Sequence, residues 1–211
     1  MRPPRSTANW LKRFRRGESG VVALEFAFLA LPFLFIILAL LELALVFLLS
    51  ASLDTAMERA ARSIRTGGLQ SSAAYAGLAG QQLEDRQEAD FKTEVCRQMA
   101  WLASGCATAL AIDVRTFTDW VDTNTCDPIT PATATSGPTF NDAATLFRTG
   151  GPRDIVLVRG YYRWPLLTPL LGQAMVDLEG DVHLVTSTQT FRNEPYGPPA
   201  NTPPPPPAAC P

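Results

Sequence analysis

From Phe26 to Ser50 the chain carries one charged side chain, Glu42, in a run otherwise dominated by Leu, Phe, Ile, Val and Ala. As a helix, those 25 residues reach ~37 Å, enough to cross the ~30 Å hydrocarbon core of a bilayer with some tilt. Pro32 removes one backbone donor near the start and is expected to loosen or kink the helix there. Beyond the apolar run, Leu53, Met57, Ala60 and Ile64 recur at spacings of four, three and four. That is the stripe of a helix with one buried side, leaving Arg59, Arg62 and Arg65 for other faces. Gly67-Gly68 then supplies a stop, because glycine tolerates a left-handed cap. The sequence therefore predicts one helix over 21–66, ~69 Å long and far beyond the usual globular length.

Charge is distributed unevenly about that helix. Residues 1–20 hold Arg2, Arg5, Lys12, Arg13, Arg15 and Arg16 against Glu18, a net +5, while residues 21–211 carry twelve basic and nineteen acidic residues, a net −7. An excess of arginine and lysine before an apolar span, with none after it, predicts a cytoplasmic N-terminus and a larger part across the membrane. The acidic remainder excludes nucleic acid as an expected partner, since phosphate binding needs a basic face. Domain boundaries follow: a basic leader over 1–20, the long helix over 21–66, an extracytoplasmic domain over 67–194 and a proline-rich tail over 195–211.

At the threshold of the apolar run stands Arg15-Arg16-Gly17-Glu18-Ser19-Gly20-Val21-Val22-Ala23-Leu24-Glu25-Phe26. A glutamate at the edge of a bilayer is costly enough to be read as functional. The Gly20, Glu25 and Phe26 spacing resembles the processing site of type IV-like pilins, in the G/XXXXEF form of the tight-adherence (Flp) pilus. The whole chain resembles a TadE-like minor pilin (pseudopilin), as do the segments Tyr162–Leu170 and Arg192-Asn193-Glu194-Pro195-Tyr196 near its end. The resemblance implies cleavage between Gly20 and Val21 by a prepilin peptidase. It also implies a new N-terminal amine paired with Glu25, and lateral packing against other pilin-like subunits. The partners so implied are inner-membrane lipid, the peptidase, those subunits and the pilus assembly platform. The implied location is the bacterial inner membrane, single-pass, with a periplasmic C-terminal domain and incorporation into a surface pilus. Glu42 reads as an interfacial residue meeting the far headgroups, with pairing to a basic group on a partner helix as the alternative.

Other uses of a basic leader and an apolar run compete with this reading. A secretory signal would be cut at Ser50-Ala51-Ser52, but the run is longer than a usual signal core. Arg15-Arg16 lacks the following residues of a twin-arginine signal. An uncleaved single-pass anchor that binds envelope partners through its outer domain is the serious competitor.

The extracytoplasmic part reads as α+β, a small pilin-like domain of one helix packed on an antiparallel sheet of about three strands. A helix is predicted from Leu83 to Ala103, with Phe91, Val95, Met99 and Leu102 on one stripe and acids in its first turns. Leu110, Ile112 and Val114 alternate with Ala111, Asp113 and Arg115 in a half-buried strand reaching Trp120. Asp122–Gly151, rich in Thr, Pro and Gly, is expected to be a long exposed excursion with one helical turn at Asn141–Phe147. Strands follow over Asp154–Trp164 and Asp181–Arg192, separated by a short apolar turn or helix at Leu166–Met175. Pro203–Pro207 is expected to be extended.

Cys96, Cys106, Cys126 and Cys210 all follow the apolar run, on the expected oxidising side, and are disulfide candidates with three possible pairings. A Cys96–Cys106 staple between the second helix and the first strand is geometrically reasonable. Their spacing lacks a CxxC pair and His183 is the sole histidine, so no metal site is expected. No nucleophile elbow, zincin motif, phosphate loop or carboxylate pair is present, so no enzyme activity, small-molecule substrate or cofactor is expected.

Overall fold

The computed structural model describes residues 19–99, 101, 105–117, 120, 127–168 and 174–197. Its leading element is a single helix, α1 (Ser19–Arg65), 47 residues long with Pro32 inside it. A connector with a 3₁₀ turn at Ala73–Tyr75 leads to α2 (Gln81–Gln98). A short α3 (Cys106–Ala109) feeds β1 (Leu110–Phe117). Two short strands, β2 (Ile129–Thr130) and β3 (Thr139–Phe140), precede β4 (Ile155–Pro165) and β5 (Val182–Arg192). The architecture is α+β: a long apolar helix, a further helix and a three-stranded antiparallel sheet in the order β1–β4–β5, with β2–β3 paired separately.

The two halves of α1 meet different surroundings. Leu49, Leu53, Met57 and Ile64 are fully buried, and Val46, Ala56, Ala60 and Ala61 nearly so. They share one core with Phe91 and Val95 of α2, with Met99 just past its end, and with Leu110, Ile112, Val114, Val156, Val158, Tyr162 and Val185 of the sheet. The expected stripe of Leu53, Met57, Ala60 and Ile64 is thus the seam where α1 lies on the sheet, and α2 flanks it. Gly160 of β4 faces this seam: a Cβ there would stand 2.8 Å from Met57 Sδ, so its missing side chain lets α1 approach the sheet. Cys96 and Cys106 form a disulfide with their Cα atoms 5.7 Å apart, tying the end of α2 to α3. Closing so short a loop contributes about 2–3 kcal/mol in chain-entropy terms.

The sheet's other face departs from the expected pattern. All eight residues of β1 are buried, including Ala111, Asp113 and Arg115, which alternation assigns to a solvated side. The cover is the segment after β3. Leu146 N–H donates to Asp113 Oδ1 at 2.8 Å, and Arg115 Nη2 donates to the Ala144 carbonyl at 2.6 Å. Arg115 Nε and Arg159 Nη2 both donate to Asp113 Oδ2, at 3.0 and 2.6 Å. The Phe140 ring packs against Tyr161, and Arg163 lies over Phe140. From residue 127 onward the expected excursion is therefore a fitted lid with a β2–β3 hairpin, and its helical turn is a 3₁₀ turn at Asp142–Ala144.

The chain closes on α1. Glu194 N–H donates to the Arg65 carbonyl, and Asn193 Nδ2 donates to the carbonyls of Thr149 and Gly151. The Tyr196 ring covers Gly67, whose φ of +75° forms the helix stop. The basic leader up to Glu18, Leu102 and Ala103, Cys126, Leu170, Cys210 and Pro203–Pro207 lie outside the described residues.

Candidate processing junction and apolar stalk

Gly20 sits in the first turn of α1 and, among the described residues, nothing lies within 4 Å of the position a Cβ would take. At Gly160 and Gly67 the Met57 side chain and the Tyr196 ring occupy the space a Cβ would need; among the described residues nothing does so at Gly20. Val21 is 65% exposed and Phe26 72% exposed, and the large apolar side chains of α1 remain exposed through Leu41. Mean hydropathy over the best 18-residue window of the helix is 2.8, with 17% of that window buried. By length and composition this is a candidate membrane span. Packing within the chain does not account for it, because the surface that a soluble core helix would bury is bare.

Two carboxylates belong to this half of α1, and the structure gives them opposite situations. Glu25 is exposed and, among the described residues, has no hydrogen-bond or ion-pair partner. It lies four residues after Val21, one helical turn along and on the same face. Glu42 is 4% exposed, its carboxylate accepting from the backbone N–H of Leu167 through Oε1 and of Thr168 through Oε2, the latter at 2.8 Å. One expectation for Glu42 is thereby corrected: it does not await a basic group on a partner helix, because its two oxygens cap the loop that follows β4. Those donors stand 125 and 126 residues away in sequence, so no local pattern could have pointed to them.

Among the described residues no group of three or more His, Cys, Asp or Glu is arranged to hold a metal. His183 Nδ1 lies 3.0 Å from the Met175 carbonyl oxygen and 2.6 Å from Asp177 Oδ2, in contacts that anchor the turn before β5.

An apolar helix left bare for its first half and used as the spine of an α+β domain in its second defines a stalked class of protein that leads with an apolar helix. Within that class, residues 20–62 match the family model described as TadE-like protein, beginning at Gly20 and including Glu25, Phe26 and Glu42. The match covers the junction and most of α1, about a fifth of the chain, and is a similarity to that family over this stretch. Neither the curated proteins nor the solved structures yielded a match.

Proposed function

We propose that this chain is a TadE-type minor subunit for assembly of a tight-adherence pilus. It inserts in the bacterial inner membrane with its basic leader inside and its domain in the periplasm. A prepilin peptidase then hydrolyses the Gly20–Val21 amide: water supplies the hydroxyl that makes Gly20 a carboxylate, and Val21 leaves with a free amine that protonates. An ammonium at the start of a lipid-embedded helix is an unpaired charge that apolar surroundings penalise. Glu25, one turn on, offers the compensating carboxylate, either in the same chain or to the amine of a neighbour, and it also suits the positive end of the helix dipole. Shape and this pair, rather than hydrophobic transfer, would hold the stalk against other pilin-like subunits and the assembly platform in lipid. The protein works by assembly and carries out no reaction of its own.

The observation that carries this reading is Glu25, without a partner among the described residues, five residues past a glycine that their packing does not require. Glu42 cannot take its place, since its oxygens are already used by Leu167 and Thr168. The test is Glu25→Ala in cells that build the pilus. We expect the variant to reach the mature mass and yet fail to enter fibres or support their formation. Normal pilus formation by Glu25→Ala would remove the pairing role.

A further inference from the structure

We infer that the loop Pro165–Thr168 is a second membrane contact, with Leu167 resting at the acyl–headgroup boundary of the leaflet on the domain's side. Glu42 is the group that makes the insertion possible. The inference rests on α1 spanning the bilayer, as proposed above. From Val21 to Leu41 the bare helix rises ~31 Å, matching the ~30 Å hydrocarbon core and placing Glu42 at its outer edge. The hydrogen bonds from Leu167 and Thr168 to Glu42 fix the loop at that same level. Leu167 is 77% exposed there, and Phe47, ~8 Å further along α1, is also 77% exposed, so the apolar surface of the stalk continues onto the domain's underside. The sequence holds no charged residue from Pro165 to Val176.

Backbone chemistry points to lipid rather than water. Irregular chain survives at membrane depth only where its polar groups are satisfied within the protein. Pro165 has no N–H, and the next three donors are all engaged: Leu166 N–H with the Asp181 carbonyl at 2.9 Å, then Leu167 and Thr168 with Glu42. Buried Thr168 needs an acceptor in any solvent, but Leu167 is exposed, and a water-facing loop could leave its N–H to water. A carboxylate on the helix, supplying two acceptors where a partner strand is lacking, lets an apolar tip enter the boundary without an orphaned donor. Such a contact would hold the domain close to the bilayer while the subunit remains in the membrane, and it would have to be withdrawn on extraction into a fibre.

The experiment uses the full chain in vesicles of phosphatidylethanolamine and phosphatidylglycerol, with the photoreactive benzoylphenylalanine at position 167. Position 33 on the bare helix serves as the lipid-facing control and position 188 on the exposed face of β5 as the water-facing one. After irradiation, mass spectrometry reads the adducts. We expect lipid adducts at 167 approaching those at 33 and none at 188. In a Glu42→Leu background, which orphans two donors, the adduct at 167 should fall about tenfold with that at 33 unchanged. Glu42→Gln, which keeps one acceptor oxygen, should lie between. Chain-to-chain adducts at 167 would overturn the inference in favour of a second copy, and labelling at 33 without labelling at 167 would overturn it outright. Loss of labelling at 33 itself would remove the bilayer reading of α1 and the inference with it. An undiminished adduct in Glu42→Leu would strip Glu42 of its part.

Discussion

Gly20 and Gly67 are the same residue under opposite constraints. At Gly67 the backbone is left-handed and the Tyr196 ring occupies the space a Cβ would need, so the fold alone demands glycine. At Gly20 the backbone is helical and, among the described residues, the surroundings are open, so a side chain in this terminal turn would leave the folded domain untouched. This separates processing from folding. Gly20→Leu should leave the thermal and denaturant midpoints of the purified protein unchanged while the chain accumulates at its precursor mass. A fall in the midpoint would mean that Gly20 has a structural role the geometry does not reveal. Glu42 and Glu25 divide similarly: the first is spent inside the chain, and the second has no partner among the described residues.

Among the elements, the lid over the far face of the sheet depends most on a single group. Asp113 is 1% exposed and holds two guanidiniums and the Leu146 amide at once. Its removal leaves buried cations without their carboxylate, a loss of about 3–5 kcal/mol. Asp113→Ala should therefore lower the urea midpoint and speed amide exchange across residues 142–148, with α1 and α2 less affected. Equal exchange in variant and parent would contradict the lid assignment. Tyr161, beside this cluster, has its hydroxyl pushed up to about 12, first by burial, with Arg159 pulling in the opposite direction and Asp113 adding to the rise. Below about pH 10 the phenol is neutral folded and unfolded, and its contribution is intact. Above that the unfolded chain ionises first, so stability should decline between about pH 10 and 12 at up to ~1.4 kcal/mol per pH unit for this group. Denaturation midpoints across that range should fall less steeply in Tyr161→Phe, and identical slopes would contradict the burial of this hydroxyl. These elements also mark where the sequence was legible. The stripe Leu53, Met57, Ala60, Ile64 and the strand limits near Asp154 and Arg192 follow from local period and from Gly and Pro punctuation. The burial of Asp113 and Arg115 did not, because alternation assumes that the charged face meets water, and here a segment some thirty residues on covers it. Glu42's partners are more distant still, so that part of the stalk was legible only as a lone charge.

At the scale of the whole molecule, one helix meets two surroundings. Its second half is the core of the domain, so a signal-type cut at Ser50-Ala51-Ser52 would fall within a continuous helix and detach Val46 and Leu49 from the packing they complete. Its first half presents apolar surface, a glycine at its root and one carboxylate without a partner among the described residues, which suits a helix that would exchange lipid for neighbouring stalks. The Cys96–Cys106 bridge accords with a domain on the oxidising side. In the proposed function the amine created at Val21 makes the stalk competent to assemble, so the most direct measurement is the intact mass and N-terminal sequence of the protein purified from membranes of cells that express the peptidase. The result expected is a chain starting at Val21, with residues 1–20 gone. A chain still starting at Met1 would contradict the pilin reading and leave a permanently anchored domain that binds envelope partners in its place.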